Sequence, residues 1–255
     1  MRVLFIGDII GHPGRTIVAS MLPGLLSEFA IDICLANGEN VAGGFGITPA
    51  ICSELFSLGI DLLTSGNHVW DKKEIEAYIQ GEPRLLRPAN YPPGVPGAGV
   101  HVLRKNEHCL GVLNLSGRTF MADLDCPFRV ADSEVARLRG EAAAILVDFH
   151  GEATSEKRAL GWYLAGRVSA VIGTHTHVQT ADEQVLPGGT AYITDAGMTG
   201  SAQSVIGIVK DEAIARFLTQ MPQKFEVAKG SPMFNGVVVE IDPGGRATEI
   251  IRINR

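Results

Sequence analysis

The stretch ICLANGEN, residues 33–40, is a strand-sized apolar run whose exit carries Asn37, Gly38, Glu39 and Asn40. The same arrangement recurs along the chain. Residues 3–6 (VLFI) lead to Gly7 and Asp8, and residues 62–64 (LLT) lead to Ser65, Gly66, Asn67 and His68. Residues 143–148 lead to Phe149, His150, Gly151 and Glu152, and residues 168–172 lead to Gly173, Thr174, His175, Thr176 and His177. Ligands of open α/β sheets bind outside the carboxyl ends of the strands, so these five exits are expected to converge in space. A glycine precedes the polar residue at four of them (Gly7, Gly38, Gly66, Gly173), which predicts tight turns that let a bulky cluster approach.

Helix-period stretches at 15–28, 48–58 and 71–79 follow the first three runs, a repeated βα pattern. The middle differs: runs at 85–90, 100–103 and 109–115 flank the Pro/Gly-rich stretch YPPGVPGAG and predict hairpin strands. Further helices are predicted at 133–139, 155–165 and 211–221, strands at 143–148, 168–172 and 191–194. The closing strands 236–241 and 248–253 are joined by Asp242-Pro243-Gly244-Gly245. No fixed period repeats and no low-complexity linker divides the chain, so residues 1–255 are expected to form a single domain. Its architecture is expected to be a four-layer α/β/β/α sandwich, two mixed sheets flanked by helices.

A chain of 255 residues can bury about 75 % of the surface its unfolded state exposes. Its 45 % hydrophobic and 20 % charged residues are ordinary for a globular protein, and no apolar run is long enough to span a membrane. The start MRVLFIGD enters the first strand at once rather than reading as a secretory signal; a cytoplasmic location without membrane contact is expected. A net charge of −6 offers no footprint for a duplex backbone. Cys34, Cys52, Cys109 and Cys126 lack C-x-x-C spacing and read as reduced, mostly buried thiols. No P-loop or dinucleotide fingerprint is present.

The polar groups at the exits are carboxylate, amide and imidazole without thiolate, which suits divalent iron, manganese or zinc and argues against a structural zinc site. Two divalent cations against the carboxylates of Asp8 and Glu39 would leave a local charge of about +2, attractive to phosphate even on an acidic protein.

The order Asp8, GEN (38–40), GNH (66–68), His150 and GTHTH (173–177) resembles the calcineurin-like metallophosphoesterases. MRVLFIGDIIG, LANGEN, SGNHVWD, DFHGEATSEK and GTHTHVQT resemble their YmdB-like branch of bacterial phosphodiesterases over the whole length. The resemblance implies two divalent transition metals, iron or manganese foremost and zinc third. It implies that Asp8, Asn40 and His177 hold the first, Asn67, His150 and His175 the second, and that Glu39 bridges them. Ile10 stands where the superfamily has a ligand histidine, and Asn40 is the residue that could replace it.

A hydroxide held between cations about 3.5–4 Å apart would attack phosphorus in line, with His68 beside Asn67 as general acid. His175 and His177, two apart in extended backbone, would face the same way and reach one centre. Phe45, Arg118 and Phe120 could line the substrate pocket, although an exposed loop is the commoner setting for such residues. The expected activity is a phosphodiesterase acting on cyclic nucleotides or related phosphodiesters. The alternatives are a phosphomonoesterase, or a nucleotide- or RNA-binding regulatory protein with little turnover. A homo-oligomer is implied by the resemblance alone.

Overall fold

The computed structural model describes residues 1–255. The chain opens with β1 (Arg2–Ile6), β2 (Asp8–Ile9), α1 (Gly11–Glu28), β3 (Ile33–Asn37), α2 (Pro49–Ser57), β4 (Leu62–Thr64) and the single turn α3 (Ile75–Tyr78). It continues through β5 (Val100–Lys105), β6 (His108–Ser116), α4 (Pro127–Leu138), β7 (Ala144–His150), α5 (Thr154–Leu164) and β8 (Ala170–Thr174). The last part holds β9 (Gln184–Leu186), β10 (Thr190–Ile193), β11 (Met198–Ser201), α6 (Lys210–Thr219), β12 (Pro232–Met233), β13 (Asn235–Ile241) and β14 (Ala247–Asn254).

Two mixed sheets stack face to face, with orders β14-β13-β1-β3-β4 and β5-β6-β7-β8-β10-β9. The layering follows from side-chain alternation along strands buried on both faces. In β1, Val3 and Phe5 point between the sheets and meet a core that includes Val112, Leu146, Ile172 and Ile193. Leu4 and Ile6 point outward into a second core with Val18, Leu22 and Leu25 of α1 and Cys52 and Leu55 of α2. On the far side, Leu113, Val147, Phe149 and Val171 pack under Ala131, Val135 and Leu138 of α4 and Leu160 and Leu164 of α5. The four expected layers are present.

Three local readings are corrected. Residues 85–90 form no strand; Leu85 and Leu86 make only isolated bridges to Leu63 and Ala98. The helix expected over 71–79 is reduced to Ile75–Tyr78. A third small sheet, β12-β11-β2, has no counterpart in the sequence reading, because strands of two to four residues carry no readable periodicity. Two helices begin earlier than expected, α1 at Gly11 and α4 at Pro127. Pro13 and Pro127 lie in the first turns of these helices, where a proline gives up an N–H that has no intrahelical partner anyway.

β1, β3 and β4 run parallel in one sheet, and β6, β7 and β8 run parallel in the other. Their carboxyl ends form a common rim.

Candidate metal centre

Asp8, Glu39, Asn40, Asn67, His68, His150, His175 and His177 all reach this rim. Asp8 is fully buried; its Oδ2 accepts from the His175 backbone N–H at 3.2 Å. Its Oδ1 is buried without a hydrogen-bond partner, 3.9 Å from His177 Nε2. The turn after β3 is set by Asn37, whose Oδ1 accepts from the Glu39 N–H at 3.1 Å. Glu39 thereby points inward, with Oε2 accepting from His68 N–H at 3.0 Å and Oε1 3.0 Å from His150 Nε2. The Asn40 amide lies 3.2 Å from Glu39 Oε1 and 3.3 Å from His177 Nε2, and a half-turn of the amide exchanges its nitrogen for its oxygen.

A second lobe gathers on His150. Asn67 Oδ1 lies 3.1 Å and His175 Nδ1 3.0 Å from His150 Nε2, and the two rings meet edge-on with centroids 4.7 Å apart. Ligand atoms of Glu39, His150 and His175 fall within 4.8 Å of one another.

The outward nitrogen of each imidazole has a partner that fixes its tautomer. His177 Nδ1 donates to the Ile206 carbonyl at 2.8 Å. Thr174 donates its hydroxyl to Asp148 Oδ1 at 2.7 Å, so at 3.0 Å it accepts from His150 Nδ1–H. His175 Nε2 lies 3.2 Å from Glu152 Oε2. With the outward nitrogens acting as donors, all three inward nitrogens present lone pairs to the same space, as metal-ligating histidines do. The His150 Nε2 lone pair facing Glu39 Oε1 at 3.0 Å repels it unless a proton or a cation lies between. Without a cation the proton goes to His150: burial opposes its charge, but Glu39, Asp8 and Asp148 outweigh burial and raise its pKa to about 9. Burial and the neighbouring His150 charge push His175 down to about 3. Burial raises Asp8, partly offset by His177 and His150.

The unpartnered Asp8 oxygen and the converging lone pairs fit a cation centre. So does Gly66, where a Cβ would stand 2.2 Å from the His150 ring and 2.5 Å from Glu39 Oε2. None of Gly7, Gly38, Gly66 and Gly173 has a positive φ; Gly38 and Gly66 open the expected tight turns, their carbonyls accepting from the Val41 and Val69 N–H groups at 3.4 Å. Close approach is what they serve: a Cβ would meet Gly197 O at 2.0 Å from Gly7 and Thr194 O at 1.8 Å from Gly173.

The geometry of the histidine pair is a further correction. β8 ends at Thr174, and His175 and His177 take φ values of 102° and 67° instead of extended backbone. Each left-handed residue costs about 1–3 kcal/mol and needs outside support. Thr176 between them supplies it, donating N–H and Oγ1–H to Asp195 Oδ2 at 3.0 and 2.7 Å. Asp195 in turn is paired with the buried Lys157 at 2.7 Å.

The chain matches the family described as YmdB-like protein over residues 4–253. This chain belongs to the YmdB-like family. The YmdB-like chain is 50 % identical over 242 residues to a Bacillus subtilis 2',3'-cyclic-nucleotide 2'-phosphodiesterase, covering 95 % of this chain and 92 % of that one. A solved structure of a novel phosphatase from Mycoplasma pneumoniae superposes with a TM-score of 0.94 at 32 % identity, covering 100 % of this chain and 93 % of that one. A hypothetical protein from Thermus thermophilus superposes at 0.93 with 45 % identity, covering 100 % and 99 %.

Above the centre lies a cleft of about 340 Å³ whose walls include His68, Phe45, Glu152, Ile206, Ile208 and Phe225. His68 Nδ1 pairs with Asp71 Oδ2 at 2.8 Å, and its ring meets Phe45 edge-on. Of the three pocket candidates only Phe45 lines the cleft: Phe120 is 89 % exposed, and the Arg118 backbone is tied to the Glu156 carboxylate. Asp71, Asp148, Lys157, Asp195 and Ile206 escaped sequence reasoning, and Glu152 and Thr174, though named at the strand exits, were given no role. Asp148 carried the one usable signal, a carboxylate inside the fully buried run AILVDFH, which must have partners to be there.

Proposed function

We propose that this YmdB-like protein is a phosphoric ester hydrolase that opens a cyclic phosphodiester, a nucleoside 2',3'-cyclic phosphate above others. The observation that carries the reading is the gathering of three imidazole lone pairs, two carboxylates and two amides at one rim, with Asp8 Oδ1 buried there without a protein partner. The name of the Bacillus subtilis relative supports the substrate class.

Asp8, Asn40 and His177 would hold one divalent cation and Asn67, His150 and His175 the other, with Glu39 shared between the two lobes. Iron or manganese suits these oxygen and nitrogen donors best, with zinc third. When bound, the pair supplies the activated nucleophile and neutralises the phosphoryl oxygens. Asp71 orients the His68 ring, and His68 gives its proton to the departing ester oxygen as that oxygen's bond to phosphorus breaks. A diester is favoured over a monoester by the walls of the cleft. Beyond the centre itself no Lys or Arg lines it to meet a monoester's second charge, and the Glu152 carboxylate at its wall repels that charge, so a singly charged diester is the better fit.

The test is hydrolysis of 2',3'-cyclic AMP and bis-p-nitrophenyl phosphate by metal-reconstituted wild type and His68→Ala, with elemental analysis of both. Two metals per chain are expected, and a loss of about 10²–10⁴ in kcat for cyclic AMP in the variant. The loss should be smaller for the p-nitrophenyl ester, whose leaving group departs without a proton. Fewer than two metals, no turnover, or a variant equal to wild type on cyclic AMP would refute the assignment.

A further inference from the structure

One wall of the cleft is apolar and is not used by the chemistry above. Ile206 is 48 % exposed and Phe225 37 % exposed, and both face the same opening as Ile208. Their backbones are pinned. Val209 N–H donates to Glu226 O at 2.9 Å, Ala228 N–H donates to Gly207 O at 2.9 Å, and Ile208 bridges Val227. Ile206 is held at φ 47°, a strained position for a β-branched residue. That strain aims its carbonyl at His177 Nδ1 while its side chain stays in the cleft. The apolar wall is therefore tied directly to the Asp8–Asn40–His177 lobe. Phe45, the other ring in the cleft, is already packed on His68, whereas no aromatic pair involves Phe225.

We propose that Phe225, flanked by Ile206 and Ile208, is the subsite that stacks the nucleobase of the substrate; this rests on the cyclic-phosphodiester reading. In a nucleoside 2',3'-cyclic phosphate the base stands one sugar away from the phosphate, and the wall stands one bonded residue away from a ligand of the centre. A cleft of about 340 Å³ is at the small end of ligand sites, sized for a mononucleotide. No Lys or Arg is placed to meet a second phosphate, which disfavours oligonucleotides and 5'-phosphorylated forms. Stacking on an aromatic face tolerates every base, so selectivity among bases is expected to be slight.

The experiment compares kcat/KM for 2',3'-cyclic AMP with that for methyl β-D-ribofuranoside 2,3-cyclic phosphate, which has the reacting ring but no base. Wild type, Phe225→Ala, Phe225→Tyr and Ile206→Ala are measured at equal metal content. Base stacking contributes about 1–3 kcal/mol, so Phe225→Ala should lower the ratio of the two constants by about 5- to 150-fold. Phe225→Tyr keeps a ring and should retain the ratio, and Ile206→Ala should lower it less. A ratio unchanged in Phe225→Ala, or equally lowered in Phe225→Tyr, overturns the proposal. Calorimetric binding of adenosine 3'-monophosphate to the metal-loaded proteins gives a readout without turnover. A Kd weakened by a similar factor in Phe225→Ala supports the subsite, and an unchanged Kd overturns it. If the wild type turns over neither ester, the hydrolase reading fails while the binding measurement still decides on the subsite.

Discussion

Replacing Lys157 with methionine removes one charge from a buried pair and leaves the other behind. The Lys157 side chain is 1 % exposed and that of Asp195 0 %, with Nζ 2.7 Å from Oδ2. Breaking such a pair by removing one partner costs about 3–5 kcal/mol, because the remaining charge stays uncompensated. Asp195 keeps three donors, Thr176 N–H, Thr176 Oγ1–H and Gly197 N–H, which places the expected cost near the lower bound, about 3 kcal/mol. Methionine preserves most of the stem volume, so lost packing adds little. For a chain of this size each kcal/mol moves Tm by about 2–4 °C, so Tm should fall by about 6–12 °C in calorimetry of the metal-free protein. The same variant loosens Thr176, and with it the left-handed backbone of His175 and His177, so metal content after reconstitution should drop as well. The double variant Lys157→Met with Asp195→Asn removes both charges and should recover more than half of the Tm loss. A Tm for Lys157→Met equal to wild type, or a double variant no more stable than the single one, would refute the reasoning.

Two further outcomes follow from the geometry. In Gly66→Ala the new Cβ would stand 2.2 Å from the His150 ring, so the ring must move; bound metal should fall below two per chain, and kcat/KM by about 10²-fold. Retention of both metals with unchanged turnover would show that the close approach is irrelevant. The metal-free protein should also lose stability in a defined pH window. His150 titrates near its ordinary 6.5 when unfolded and near 9 when folded, so its contribution is complete below about 6.5 and disappears as pH rises through about 9. A cation on the same nitrogen expels that proton, so the decline should be absent in the metal-loaded protein, and metal uptake at neutral pH should release protons, read as buffer-dependent heats. Heats independent of the buffer would contradict a protonated His150.

Much of the site was legible before the fold was known. An apolar run sized for one strand, ended by Asp, Glu, Asn or His, recurs five times, and the exits of parallel strands share one rim. That regularity is local, because strand propensity and the polar residue after it lie within a few positions of each other. The layer order was legible from equally local patterns: the early βα units and the later hairpin strands together call for two mixed sheets with helices outside.

What escaped was whatever joins positions far apart in the chain. Asp195 supports the histidine loop from 19 residues beyond Thr176 and is neutralised by Lys157, 38 residues before it. Ile206 reaches His177 across 29 residues through a carbonyl oxygen, an atom every residue has and which leaves no mark in the sequence. The extended-backbone reading of His175 and His177 failed because φ at those positions is set by bonds to Asp195 and Asp8, not by the local residues. The amino-acid sequence alone determined which donor groups are available and that strand ends deliver them to one edge, since both depend on short-range pattern. Only the tertiary structure decided which nitrogen of each imidazole faces inward and which wall closes over the centre. Those outcomes depend on hydrogen bonds and packing between segments that the chain order does not bring together.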